Sequence, residues 1–138
     1  MERITNVWFK DGRICIRTEK GDEFSRPLEA FPVLKEASSE QLSHYEIGLL
    51  GDDIRWDELD EDIHISSFKE TTEPEPDNEI AAIFLRFPWL NVSEVAKVIG
   101  INKSLLSRYI YGIKKPSEQR KKLIFETLRN MGNDLASV

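Results

Sequence analysis

The chain has 138 residues, 19 Lys or Arg against 25 Asp or Glu, and a net charge of −6, an average that would set it against nucleic acid but conceals two halves of opposite sign. Residues 1–77 hold nine basic and twenty acidic side chains and residues 78–138 ten and five, so an acidic module precedes a basic one. The lone Cys15 excludes an internal disulfide and fits a reducing compartment. No apolar run of signal-peptide length opens the sequence and none nears the roughly 20 apolar residues that cross a bilayer, so a soluble, cytoplasmic protein with no membrane partner is expected.

Two β-rich runs, 4–9 and 13–18, flank Asp11-Gly12, the usual chemistry of a hairpin turn. A second link, Lys20-Gly21-Asp22, returns the chain into 23–28, which gives a three-stranded meander, and proline at 27 ends regular pairing because it has no N–H to donate. A short helical turn follows. A helix is then expected from about Ser39, capped by serine with Gln41 or Leu42 in its first turn. Residues 45–50 read as a return to strand, stopped by Gly51.

The stretch GDDIRWDELDEDIHISSF carries seven carboxylates among Ile54, Trp56, Leu59, Ile63 and Ile65. In the simplest reading, Trp56, Leu59 and Ile63 anchor an irregular segment to a core while the acids stay in water. In a second reading, Asp57, Glu58, Asp60, Glu61 and Asp62 form a surface for a basic partner protein. A divalent-metal site is the third, disfavoured because the spacing lacks the glycine and alternating oxygen ligands of a calcium loop; no metal is expected. Residues 68–78, FKETTEPEPDN, alternate acids with two prolines and read as an extended, solvated linker. The expected organisation is an α+β domain over 1–67, this linker, and an all-α domain over 79–138.

In the basic half, Ile80, Ile83, Phe84 and Phe87 form a helical stripe ending at Pro88, with Trp89 and Leu90 filling the gap to the next helix. Val92, Val95, Ala96 and Ile99 recur at amphipathic helical spacing, and Gly100 permits a left-handed exit and a sharp turn. Asn102 is placed to cap the following helix. On that helix a wheel of about 100° per residue puts Lys103, Ser104, Ser107, Arg108 and Tyr111 on one arc and Leu105, Leu106, Tyr109, Ile110 and Ile113 on the other. The last helix spans 118–131, with Pro116-Ser117 as its start signal, Ile124, Leu128 and Met131 facing inward and Gly132 as its stop. From 102 to 125 the cations are Lys103, Arg108, Lys114, Lys115, Arg120, Lys121 and Lys122, and the one acid is Glu118. Such a surface suits phosphate.

At Val95, Ala96, Ile99, Gly100, Ile101, Leu106 and Tyr109, followed by Gly-Ile-Lys-Lys-Pro-Ser, the chain resembles the helix-turn-helix of the lambda-repressor-like family. The resemblance implies a five-helix-type module in which Lys103, Ser104, Ser107 and Arg108 read base edges of duplex DNA. Asn102, Tyr111, Lys114, Lys115, Ser117 and Lys121 would contact phosphate. It departs from that pattern at Val92, where many relatives carry a polar side chain. The run Ile-x-Trp-x-x-Leu-Asp-Glu-Asp-Ile, with Phe31-Pro32 and the strand Val7-Trp8-Phe9, is similar to a family of small bacterial α+β domains of unknown function. Some members precede a helix-turn-helix and others occur beside small toxin-like proteins.

Catalysis finds little support. His44 sits in a polar helix and His64 alternates with Ile63 and Ile65 on the outer face of a strand, with no nucleophile or oxyanion donor nearby. Cys15 lies between two isoleucines as a half-buried strand residue, and no glycine-rich phosphate loop or zinc spacing calls for a cofactor. The expectation is a non-enzymatic, sequence-specific DNA-binding regulator, antitoxin-like in its narrower form. One module reads one half-site, so a homodimer is expected, with the first domain dimerising or holding a toxin-like partner. The alternative is an adaptor whose helix-turn-helix is a scaffold and whose acidic domain binds a basic protein.

Overall fold

A computed structural model describes residues 2–138. The chain divides into two units, one ending at Glu73 and one spanning Pro74–Val138.

The first unit opens on an antiparallel meander, β1 (Ile4–Lys10), β2 (Arg13–Thr18) and β3 (Glu23–Pro27), in that spatial order. Asp11 and Gly12 both take positive φ, 52° and 73°, the backbone of a tight turn whose twist matches the strands it joins. Ile14 and Ile16 point to the core and are fully buried, while Cys15 between them is half-buried on the other face. Pro27 is the last paired residue of β3, opposite Arg13, as a residue with no N–H should be.

Next come α1 (Pro32–Lys35) and α2 (Ser39–Ser43). Ser38 and Gln41 close a reciprocal cap: the Ser38 hydroxyl accepts from the Gln41 N–H at 3.1 Å and the Gln41 side chain accepts from the Ser38 N–H at 2.9 Å. The expected return strand shrinks to β4 (Glu46–Ile47).

The acidic stretch is not irregular. It forms a hairpin, β5 (Asp53–Trp56) and β6 (Glu61–His64), that joins β4 in a second three-stranded antiparallel sheet. A single 3₁₀ turn at Asp57–Leu59 and a left-handed Asp60, φ 48°, connect the two strands. Ile54, Trp56 and Ile63 pack with Ile14, Ile16 and Leu34 into one core. Burying a side chain of this size stabilises by roughly 1.5–3 kcal/mol. His64 lies exposed on the outer face, as its alternation with Ile63 and Ile65 implied.

Phe68, expected to begin a solvated linker, is buried in this same core. An aromatic ring has more to gain from the core than an acidic linker loses by being tethered. The residues after it are held too. Arg26 on β3 is 2 % exposed, donates to the Thr72 carbonyl at 2.7 Å and lies 4.0 Å from Glu70, while Arg13 pairs with Glu73.

The second unit contains four helices among the described residues, not five: α3 (Glu79–Arg86), α4 (Val92–Ile99), α5 (Lys103–Tyr111) and α6 (Glu118–Ala136). Ile80, Val95, Ala96, Ile99, Leu106, Tyr109 and Ile124 form its core, with Leu90, Leu128 and Met131 packed around it. Trp89 does not fill the gap after α3: it is 65 % exposed and meets only the Phe87 ring edge-on among the described ring pairs. Nor does Gly132 stop α6, which continues to Ala136. Its φ is not positive, so the glycine is carried as a weak helical residue rather than used as a cap. No helix among the described residues is long and apolar enough to cross a membrane.

Candidate functional site

The strongest candidate is the surface built by α4, α5 and the loop into α6. Asn91 and Asn102 start the two helices: each side-chain oxygen accepts a backbone N–H three residues on, from Glu94 at 3.1 Å and from Leu105 at 2.7 Å. Gly100 ends α4 at φ 91°, with its N–H on the Lys97 carbonyl at 3.2 Å and the Ile101 N–H on the Ala96 carbonyl at 3.0 Å. Gly112 ends α5 in the same way, φ 71°, with the Ile113 N–H reaching the Arg108 carbonyl at 3.1 Å. Both are left-handed glycine caps. They fix where each helix stops and therefore which side chains the next segment presents.

Of the residues read as base-contacting, Lys103 is exposed and Ser104 and Arg108 are partly so. Ser107 is the exception. The wheel placed it on the open arc, yet it is only 5 % exposed, because α5 packs against α3 as well as α4 and the covered arc is wider than a two-helix wheel allows. Lys114, Lys115 and Ser117 are exposed and Tyr111 is half-buried. The Ser117 hydroxyl accepts the Arg120 N–H at 3.1 Å, and so caps α6.

Three acids before α4 enter this region, and the sequence reading did not place them there. Lys121 meets Glu79 at 2.9 Å, and Lys115 meets Glu75 at 3.8 Å. The hydrogen bond that Lys121 donates to Glu79 holds its ammonium above its ordinary pKa range. Asn78 organises the arrangement: its oxygen accepts the Ile80 and Ala81 N–H groups at 3.1 and 3.0 Å, while its amide donates to the carbonyls of Ile110 at 3.0 Å and Glu75 at 2.7 Å. The available signal was an asparagine directly before a helical stripe, a cap in the making. A groove of about 550 Å³ lies here, lined among others by Asp77, Glu79, Lys114, Lys115 and Lys121.

The carboxylates proposed as a partner surface are spoken for in part. Arg55 of β5 gathers three of them, Asp57 at 2.7 Å, Asp60 at 2.9 Å and Asp62 at 2.7 Å. The hydrogen bonds that it donates to Asp60 and Asp57 raise the guanidinium further above its already high range. Glu58 lies 2.6 Å from His44 Nδ1, and Glu61 has an interaction of its own. In the sequence Arg55 carries little signal, since a cation inside an acidic run reads as a minor interruption. Its place on β5, two residues before Asp57 and facing the returning strand, makes it the hub.

No group of three or more His, Cys, Asp or Glu among the described residues is placed to hold a metal ion. Burial pushes the Cys15 thiol above its ordinary range, which keeps it a poor nucleophile at neutral pH.

Neither the curated proteins nor the solved structures contain a match to this chain. Residues 4–71 match the model of a family described as "Protein of unknown function (DUF2442)", so the first unit, up to the segment that Arg26 and Arg13 hold, is similar to that family's domain.

Proposed function

We propose that this protein is a sequence-specific DNA-binding regulator in which α4, the Gly100 turn and α5 act as a lambda-repressor-like helix-turn-helix. The observation that carries the reading is the pairing of a rigidly capped α5, which shows Lys103 and part of Ser104 and Arg108, with an exposed Lys114-Lys115 loop directly after it. In this reading the start of α5 enters the major groove, where Lys103 and Arg108 read guanine edges. Lys114, Lys115 and Ser117 contact phosphate on the flank and fix the register. Ser107, being buried, supports the helix from behind. The first unit dimerises or holds a partner, and an antitoxin-like role is the narrow form of the proposal. The adaptor reading loses ground because Arg55 already occupies three of the carboxylates it would use.

Full-length protein titrated against duplex DNA tests this. Binding should weaken steeply with salt, and Lys103→Ala or Arg108→Ala should lower discrimination between a selected site and random duplex by about 1–3 kcal/mol. Absence of binding at low ionic strength would remove the proposal and leave the adaptor reading.

A further inference from the structure

We propose that the acidic segment leading into α3 is an internal stand-in for DNA phosphate, one that holds Lys115 of the loop and Lys121 of α6 until a duplex displaces it. The inference rests on the DNA-binding reading and concerns how that same surface is regulated.

The segment is built in place rather than draped. The Glu75 N–H donates to the Tyr111 carbonyl at 3.1 Å, and Asn78 ties the Glu75 carbonyl to that of Ile110 through its amide. The Tyr111 and Ile110 carbonyls are the last of α5, the negative end of its dipole, so a carboxylate-bearing chain is brought there by the Glu75 N–H and the Asn78 side-chain amide and not by its charge. Gly112 lacks a side chain where the Glu75 main chain passes, and any Cβ there would collide with it. Anchored in this way, Glu75 reaches Lys115 and Glu79 reaches Lys121. Asp77 lines the same groove.

Carboxylate oxygens in this position compete for the hydrogen bonds and charge that phosphate oxygens would take. Lys115, Glu75 and Glu79 are largely solvent-exposed and Lys121 is 32 % exposed, so both ion pairs face water and are weak and exchangeable. They are suited to displacement by a duplex that offers one charge per about 1.7 Å of axis. Part of the affinity that two lysines could provide is thus withheld. Weak non-specific binding, which depends on phosphate alone, is trimmed along with the rest.

The test uses full-length protein and fluorescence anisotropy on a labelled duplex across a salt series. Glu75→Gln with Glu79→Gln should bind about tenfold more tightly at low salt, and the gain should shrink as salt rises, because the ion pairs that the substitutions remove are themselves screened. A charge-matched control, Glu126→Gln with Asp134→Asn on α6, should gain clearly less. Adding Lys115→Ala and Lys121→Ala to the first variant should abolish its advantage. If the control gains as much as the test variant, shielding is wrong while DNA binding stands; if no variant binds duplex, both readings fall. Glu75→Gln alone, which lies outside any helix, gives the same comparison with a smaller gain should the double variant prove unstable.

Discussion

Trp56 has no exposed surface, and its indole N–H, cut off from water, donates to the Leu42 carbonyl at 3.0 Å. Trp56→Ala would leave a cavity and an unpaired carbonyl, and denaturant unfolding of the first unit should show a loss of about 3–5 kcal/mol. In the second unit the neighbours Asn102 and Lys103 should separate stability from recognition. Asn102→Ala removes the cap of α5 and should cost about 1 kcal/mol of stability, whereas Lys103→Ala on the exposed face should stay within about 0.5 kcal/mol and act on DNA discrimination instead. A thermal melt beside a binding titration checks both. Asn102 was legible as a cap because capping is a local matter between a side chain and an N–H three residues on. Burial of Ser107 and exposure of Trp89 were not, since each depends on which other helix arrives at that face.

Elements with local causes were read well. The strands of the first meander followed from alternation and from Asp-Gly, and the stop at Gly100 followed from the residue's tolerance of positive φ. The second sheet is legible only in part: a strand is expected within 45–50 and around His64, but the dense carboxylates hide β5, where Arg55 gathers them. The end of α6 is obscured for the opposite reason: Gly132 carries the signal of a stop but sits in the helix as a tolerated residue. The two glycines should respond in opposite directions. At Gly132 nothing lies within 4 Å of an added Cβ, and Gly132→Ala should stabilise the helix by about 0.5–1 kcal/mol. At Gly100, φ 91°, alanine should destabilise by about 1–2 kcal/mol for the left-handed conformation alone. Thermal unfolding of the two variants decides between cap and passenger.

For the whole molecule the informative quantity was the charge asymmetry, which marked two modules even though the net charge suggested one acidic protein. What it could not mark was the acids that serve the basic module, Glu75 and Glu79, since pairing across 40 residues leaves no trace in local composition. If the protein acts as a dimer on DNA, selection of bound sequences from random duplex should return two half-sites about 34 Å apart or a multiple of that spacing. A single unrepeated half-site would argue for a monomer. The order of the strands has a consequence for synthesis as well. Both sheets follow chain order with no crossover, and Phe68 supplies the last buried side chain of the first core. Within each sheet the loops between paired strands are short and cost little entropy to close, whereas joining the two sheets closes longer ones, as where the Ile4 N–H meets the Gly51 carbonyl. The nascent chain therefore holds a complete first unit before the residues of α3 are made, and that unit can fold on the ribosome while the second unit is still being translated.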